Sequence, residues 1–343
     1  MAFRTIELNG EQLLQRTTEH RLWETIFRGV EQSSYPLVPS AFRKKGKREL
    51  KAISEAFVNG HRSLFDITEA KFPDTYYEFI SLMWFWDIAN KRGIRVPDIP
   101  HMYNGNMFFE AQGTIDKLLK EYDPRDWVGI SAIAQHYNLP TRLLDWTYDM
   151  DAAIFFATRN ITLRQIKDTP KKCFSIWEMV KPMVSFVTNK VGFVTPDYCD
   201  NPNISAQSGL FSFITDGDPS KPLEDLISES ARNLSDGQRD LLLKNKVSIL
   251  TRIDVPYSQI PRIRANLESR KVDHDRFFPN LSDVAKSMRI QARLEGPNAA
   301  DGPNTGSGIE LFDHPNMIPT IMYLHDNPGC IRDSLSEAVP GSE

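Results

Sequence analysis

Two stretches of this 343-residue chain gather side chains able to do chemistry. The first is Phe27-Arg28-Gly29, at the end of an apolar run. An arginine leaving a strand beside a glycine can offer a planar guanidinium to a phosphate while the backbone comes close. The same three residues also describe a surface arginine beside a turn. The second stretch is Gln135-His136-Tyr137-Asn138-Leu139-Pro140-Thr141-Arg142-Leu143-Leu144-Asp145-Trp146-Thr147. It packs an amide, an imidazole, hydroxyls, a guanidinium, a carboxylate and an indole into 13 residues. Extended backbone would put Thr141, Leu143 and Asp145 on one side and Arg142 and Leu144 on the other. Arg142 and Asp145 could instead form a structural pair within a turn, with His136 a satisfied helix-end histidine.

Other charged groups add weaker signals. Arg43-Lys-Lys-Gly-Lys-Arg48 places Arg43, Lys44, Lys45, Lys47 and Arg48 in six positions. The run could contact a polyanion such as nucleic-acid or pyrophosphate phosphates, or form a solvated loop leading into a helix. Asp145, Asp149 and Asp151 are the carboxylates a metal-dependent nuclease would need. Asp149 and Asp151 better suit the start of the helix that follows, where its dipole favours negative charge.

These residues need elements to hold them. A short strand is expected at Trp23–Phe27, followed by a loop through Tyr35-Pro-Leu-Val-Pro39. Apolar periodicity predicts helices over Lys47–Asn59, Asp74–Arg92, Asp126–Tyr137 and Asp149–Arg159. The run Leu82-Met-Trp-Phe-Trp86 is apolar nearly all round, so the second of these belongs to the core. Pro140 ends the third, and Thr141–Leu144 reads as a short strand. Lys172–Val180, Val191–Thr195, Leu210–Thr215 and Val247–Val255 are rich in β-branched and aromatic residues and read as strands. Helices return at Leu223–Arg232, Pro256–Arg270 and Leu281–Arg289. Mixed order favours an α+β fold, with a mixed or antiparallel sheet core and surrounding helices. Residues 1–20 form a helical lead-in, residues 21–290 the main domain, and residues 291–343 a partly ordered extension. That extension holds six of the 18 glycines and six of the 22 prolines, and its segment Ile318–Leu324 suits a docked strand.

Composition excludes several classes. Forty-one basic and 45 acidic residues give a net charge of −4, so the chain is no basic nucleic-acid coat. The longest apolar run, Ala152–Ala157, is far short of the roughly 20 residues that cross a bilayer. The N-terminal residues lack an apolar secretory segment. Cys173, Cys199 and Cys330 are odd in number and widely spaced, which suits a reducing cytoplasm and no metal or redox pair. No P-loop, dinucleotide fingerprint, His-x-x-x-His or Gly-x-Ser-x-Gly occurs.

Taken together, the two polar stretches resemble the FRG domain, a family named for its (F/Y)-R-G motif. Phe27-Arg28-Gly29 followed by Tyr35-Pro-Leu-Val-Pro39 carries the first part of the likeness. Ala134-Gln-His-Tyr-Asn-Leu-Pro-Thr-Arg-Leu-Leu-Asp-Trp-Thr147 and Ala153-Ile-Phe-Phe-Ala157 carry the second. Asn201-Pro-Asn-Ile-Ser-Ala-Gln-Ser-Gly-Leu-Phe211 and Phe277-Phe-Pro-Asn-Leu281 are similar to its later Gln-x-Gly-x-Phe and Phe-Pro-x-Leu elements. The family has glycine where this chain has Asn138, a residue that also tolerates the left-handed conformation.

The motif order further resembles ADP-ribosyltransferases of the Arg–Ser–Glu type. The resemblance implies NAD as substrate and a transferase or NAD-cleaving effector, in a toxin or phage-defence setting. Arg28 and Gly29 would meet the NAD phosphates, with Thr141, Arg142 and Thr147 also binding it. His136, Asp145 and Gln207 would be the catalytic candidates. Gln207 stands where the family resemblance implies a glutamate, and an amide cannot supply the charge that steadies an oxocarbenium-like ribosyl cation. Either Asp145 supplies the charge instead, or the fold binds NAD without efficient transfer. The alternatives are a nucleic-acid-binding or nuclease-like module using the same polar residues, and a non-catalytic interaction domain.

Overall fold

A seven-stranded sheet organises the chain. In the computed structural model, which describes residues 3–19, 24–60, 74–99, 123–195, 205–244 and 248–278, its strands are β1 (Phe3–Glu7), β2 (Thr25–Val30), β3 (Leu144–Thr147), β4 (Cys173–Val180), β5 (Val191–Val194), β6 (Gly209–Ile214) and β7 (Leu250–Pro256). Their order across the sheet is β1-β7-β4-β2-β3-β6-β5. β1 runs parallel to β7, and the other pairings are antiparallel. The α+β expectation with a mixed sheet is met. The described residues belong to one unit, Met1–Pro279.

The helices are α1 (Gly10–Arg16), α2 (Lys44–Gly60), α3 (Asp74–Lys91), α4 (Val128–His136), α5 (Met150–Thr158), α6 (Leu163–Asp168), α7 (Lys181–Val187), α8 (Leu223–Arg232), α9 (Asp236–Lys244), α10 (Ile260–Ser269) and α11 (His274–Phe277). One face of the sheet packs Phe27, Phe174, Ile176, Ile253 and Val255 against α5 and α10. The other packs Ile26, Val30, Trp146, Trp177 and Leu250 against α7 and α8. Beside the sheet, α2, α3 and α4 share an aromatic core built on Phe57, Tyr76, Phe79, Trp86 and Trp127. α4 joins the two bodies because its residues alternate sides: Ile130 and Ala134 enter that aromatic core, while Val128 and Ala132 pack with Phe211 and Phe213 of β6.

Local chemistry explains the departures from expectation. Arg28 and Gly29 lie inside β2, not beyond it, because β2 pairs with β4 from Thr25–Val180 to Val30–Ser175. A Cβ on Gly29 would stand 2.0 Å from the Ala153 carbonyl oxygen of α5, so only glycine lets that helix sit on the sheet. β3 begins at Leu144, not at Thr141, since the groups before it have other partners. The Thr141 carbonyl accepts from the Ala41 amide and the Thr141 amide donates to the Ser40 hydroxyl, and the Arg142 amide donates to Glu78 Oε1 at 2.6 Å. The basic run is not a loop. Lys44–Arg48 form the first turns of α2, with Gly46, Leu50, Ser54 and Phe57 turned inward and the charges spread outward. The lead-in is likewise a strand before a helix, β1 completing the sheet beside β7. Asn138 takes the left-handed conformation (φ 67°), as its chemistry allows. Asp149 caps α5 by accepting from the Asp151 amide at 2.8 Å. Leu281–Arg289 and Ile318–Leu324 lie outside the described residues, as do Trp23 and Val247 of two expected strands. Among the described residues no helix is long and apolar enough to cross a membrane.

Candidate functional site at the β2–β3 gap

The sheet is discontinuous at its centre. β2 is paired to β4 along its whole length but to β3 at Phe27–Thr147 alone. By strand alternation Arg28 belongs to the Ile26 and Val30 face, and Asp145 to the Phe27 and Gly29 face. A continuous ladder would keep the two side chains apart. Beyond the single pairing, the Arg28 guanidinium enters the gap instead. Its Nη1 donates to the Asp145 carbonyl oxygen at 2.6 Å and to Oδ2 at 3.2 Å. The side chain of Arg28 is 15% exposed and that of Asp145 61%, so the carboxylate is the partner open to solvent. Arg28 Nε is buried and has no hydrogen-bond partner among the described residues.

A chain of side chains holds Asp145 from the other side. Gln135, on the last turn of α4, donates from Nε2 to Asp145 Oδ1 and accepts at Oε1 from Thr141 Oγ1. Thr141 is fully buried and its hydroxyl also accepts from the Leu143 amide at 3.3 Å. The left-handed turn at Asn138 brings residues 135 and 141 face to face. A second guanidinium lies within electrostatic range of Arg28 and Asp145. Arg43 is anchored through Nε, which donates to the Val38 carbonyl at 2.7 Å. Although the residue is exposed overall, partial desolvation of its guanidinium, then the like charge of Arg28, lower its pKa from the ordinary arginine value, while Asp145 and Tyr35 act the other way. The Tyr35 hydroxyl accepts from Gln32 Nε2 at 2.6 Å.

This is the stretch that a comparison with known families picks out. Residues 92–165 match the family model of the FRG domain. The FRG match contains Gln135, Thr141, Arg142 and Asp145, while Arg28 comes from outside it through the sheet. No curated protein and no solved structure matches the chain.

Of the expected site residues, the structure brings together Arg28, Thr141 and Asp145. It separates others. Arg142 does not pair with Asp145: it is buried against α3, where its Nε and Nη2 meet Glu78 Oε2 at 2.8 and 2.6 Å. Gly29 faces α5, so its missing side chain serves packing, not approach to a ligand. The Thr147 hydroxyl donates to the Gln207 carbonyl at 2.6 Å and accepts from the Asp149 amide at 2.9 Å. The Gln207 side chain donates to the Phe277 carbonyl at 3.2 Å. Both therefore tie the far end of β3 to the chain after α10. His136 is exposed, edge-on to Tyr137 with ring centroids 5.2 Å apart. In the basic run, Lys47 pairs with Asp74 at 2.5 Å, and Lys44, Lys45 and Arg48 are exposed.

Sequence reasoning passed over Gln135 as a site residue and treated Arg43 only as part of a basic run. A signal for Gln135 was present: an amide before a left-handed turn, with a hydroxyl just past the proline. Arg43 had no such local signal, because its place depends on the Ser40–Phe42 turn docking on Thr141. Among the described residues no group of three His, Cys, Asp or Glu is arranged to hold a metal ion.

Proposed function

We propose that the chain acts on NAD as an ADP-ribosyltransferase or NAD-cleaving effector, with the reaction taking place at the β2–β3 gap. The observation that carries this is the Arg28–Asp145 contact: a phosphate-type donor and an exposed carboxylate meet where two central strands stop pairing. Further support comes from strand order. The strand with Arg28, the strand leading into α5 and the strand after Gln207 are neighbours, β2-β3-β6, in the same succession as the motif elements of the transferases that the sequence resembles.

The residues suit the two demands of the substrate. A diphosphate needs fixed donors, and guanidinium provides them in a planar fork. Cleavage of the bond between ribose C1′ and the nicotinamide nitrogen leaves the electron pair on nicotinamide and positive charge on the ribose. An anion nearby stabilises that charge, and Asp145 supplies it. An incoming nucleophile then bonds to C1′ and loses its proton to solvent or to a base. Gln135 holds Oδ1 of Asp145, which fixes the carboxylate and leaves Oδ2 to exchange Arg28 for the ribosyl cation.

The test is nicotinamide release from NAD by purified protein, followed chromatographically, with and without a protein or nucleic-acid acceptor. Release by wild type and not by Asp145→Asn supports the proposal. Intact NAD after prolonged incubation under all conditions rejects it.

A further inference from the structure

The charges at the start of α2 do not serve the helix they begin. Its first turn holds Lys44, Lys45 and Lys47 and no acidic residue, and Arg48 follows. Cations are disfavoured there, because the dipole already places its positive end at the N-terminus. Lys47 has a partner in Asp74 at 2.5 Å. Lys44, Lys45 and Arg48 are exposed. The opposite side of the helix fixes which way they face. Gly46, Leu50, Ser54 and Phe57 are buried, and a Cβ on Gly46 would stand 2.0 Å from the Ser40 carbonyl oxygen and 3.2 Å from Pro140. At roughly 3.6 residues per turn, Lys44, Lys45, Arg48 and Lys51 then share an outer face about 120° wide. From Lys44 to Lys51 that face runs about 10 Å, the length of about three phosphates along one nucleic-acid strand. Lys51 is exposed and meets Glu55 loosely, at 3.7 Å.

An aromatic ring stands on the same support. Tyr137, at the end of α4, is 61% exposed. Leu139, two residues on, packs with Ala41, Phe42 and Leu50, and Pro140 abuts Gly46. The turn that carries the ring therefore seats the start of α2. A row of cations and an exposed ring are the two parts that a single strand needs, charge for its phosphates and a flat face for a base. The chain as a whole has a net charge of −4, so attraction for a polyanion is local to this face.

We infer that the outer face of α2, together with Tyr137, binds single-stranded nucleic acid, with the cations along the phosphates and the ring against a base. The inference does not rest on the NAD reading, since neither Arg28 nor Asp145 takes part. An anionic membrane fits less well, because α2 turns Leu50 and Phe57 into the protein and leaves no apolar side to enter a bilayer.

Fluorescence anisotropy of labelled oligothymidylate and oligouridylate, titrated with the full chain across a salt series, tests this. The proteins are wild type, the double variant Lys45→Gln with Arg48→Gln, Tyr137→Ala, and Lys167→Gln, which alters an exposed lysine on α6. Wild type should bind with a log–log salt slope of about −3, from about −0.7 for each of four cations. The double variant should bind roughly tenfold more weakly at low salt, with the slope smaller by about 1.4. Tyr137→Ala should lose about tenfold with the slope unchanged, the mark of a stacking contact. Lys167→Gln should match wild type. Melting curves establish that the variants are folded, and the double variant should melt no lower than wild type, since the lost charges oppose the helix dipole. Binding of either oligomer in this pattern supports the inference, and the tighter of the two names the sugar. An unchanged slope in the double variant overturns it, as does wild type that binds neither oligomer. Duplex bound as tightly as single strand, with Tyr137→Ala equal to wild type, overturns it by removing the base contact. Binding to phosphatidylserine vesicles but to neither oligomer overturns it in favour of a membrane.

Discussion

The Arg28 guanidinium spans the break between β2 and β3 to reach both the main-chain carbonyl and the carboxylate of Asp145, 117 residues further along the chain. The contact replaces ladder hydrogen bonds at the centre of the sheet, where unpaired backbone groups would otherwise be costly. It also makes Asp145 an internal occupant of the place a substrate anion would take. Under the proposed NAD chemistry, a ligand phosphate would exchange with the carboxylate, and the exchange would free Asp145 to act on the sugar.

That exchange separates binding from turnover. Asp145→Asn should lower nicotinamide release by about 10²–10³-fold, the scale on which electrostatic stabilisation acts. NAD affinity should hold or improve, because a competing charge is gone. Gln207→Ala should cost less turnover, since its side chain is spent on the Phe277 carbonyl. Asp145 is largely exposed, so its substitution should shift stability by no more than about 1 kcal/mol. Steady-state kinetics and melting curves on the same preparation check both parts. Equal losses in the Asp145 and Gln207 variants would remove the distinction.

Arg142 should behave quite differently. Its guanidinium and amide together hold Glu78, and both side chains are buried. Arg142→Ala leaves a buried carboxylate unpaired and should cost about 3–5 kcal/mol in denaturant unfolding. NAD affinity per folded molecule should be unchanged. A selective loss of NAD affinity without loss of stability would return Arg142 to the binding site.

Gly29→Ala tests the fold beneath the site. The new methyl would press on the Ala153 carbonyl and the Ala157 amide of α5, both main-chain atoms that cannot swing aside. Overpacking of this kind costs about 1–3 kcal/mol, read as a lowered denaturation midpoint. A variant as stable as wild type would mean that α5 does not sit on β2 as described.

Much of this was legible in the residues. Alternating and β-branched runs marked β4, β5 and β6, and the left-handed turn at Asn138 followed from asparagine chemistry. The proximity of Arg28 to the second motif could be anticipated from the resemblance that joins them. What stayed hidden was decided by distant partners. β1 is polar and short, and only its pairing with β7 makes it a strand. Arg142 and Asp145 looked like a pair because they are three residues apart, yet Glu78 and Arg28 claim them from opposite directions. No local pattern reports a partner on another helix or strand. The same holds for Gly29, whose reason for being glycine lies in α5.

Glu224 gives a pH signature remote from the site. Burial raises its carboxyl above the ordinary glutamate value, against the opposing hydrogen bonds that include the Leu37 amide. A raised folded-state pKa means that the folded protein holds the proton more tightly than the unfolded chain. The resulting stabilisation is fully present below the unfolded value and is lost as pH rises through the folded one. Glu224→Gln mimics the protonated form, so it should melt above wild type at neutral pH, with the gap closing in mild acid. Wild type melting higher than the variant at neutral pH would contradict this.

The most direct test of the account is calorimetric titration of NAD into wild type and Arg28→Lys at low salt. Lysine keeps the positive charge but loses the planar fork that reaches Asp145 and would hold a phosphoryl group. Saturable NAD binding by wild type, weakened roughly tenfold or more by Arg28→Lys in protein that melts normally, is the expected result. Absence of NAD binding by wild type, or equal affinity in the two proteins, would contradict the assignment of the β2–β3 gap as the NAD site.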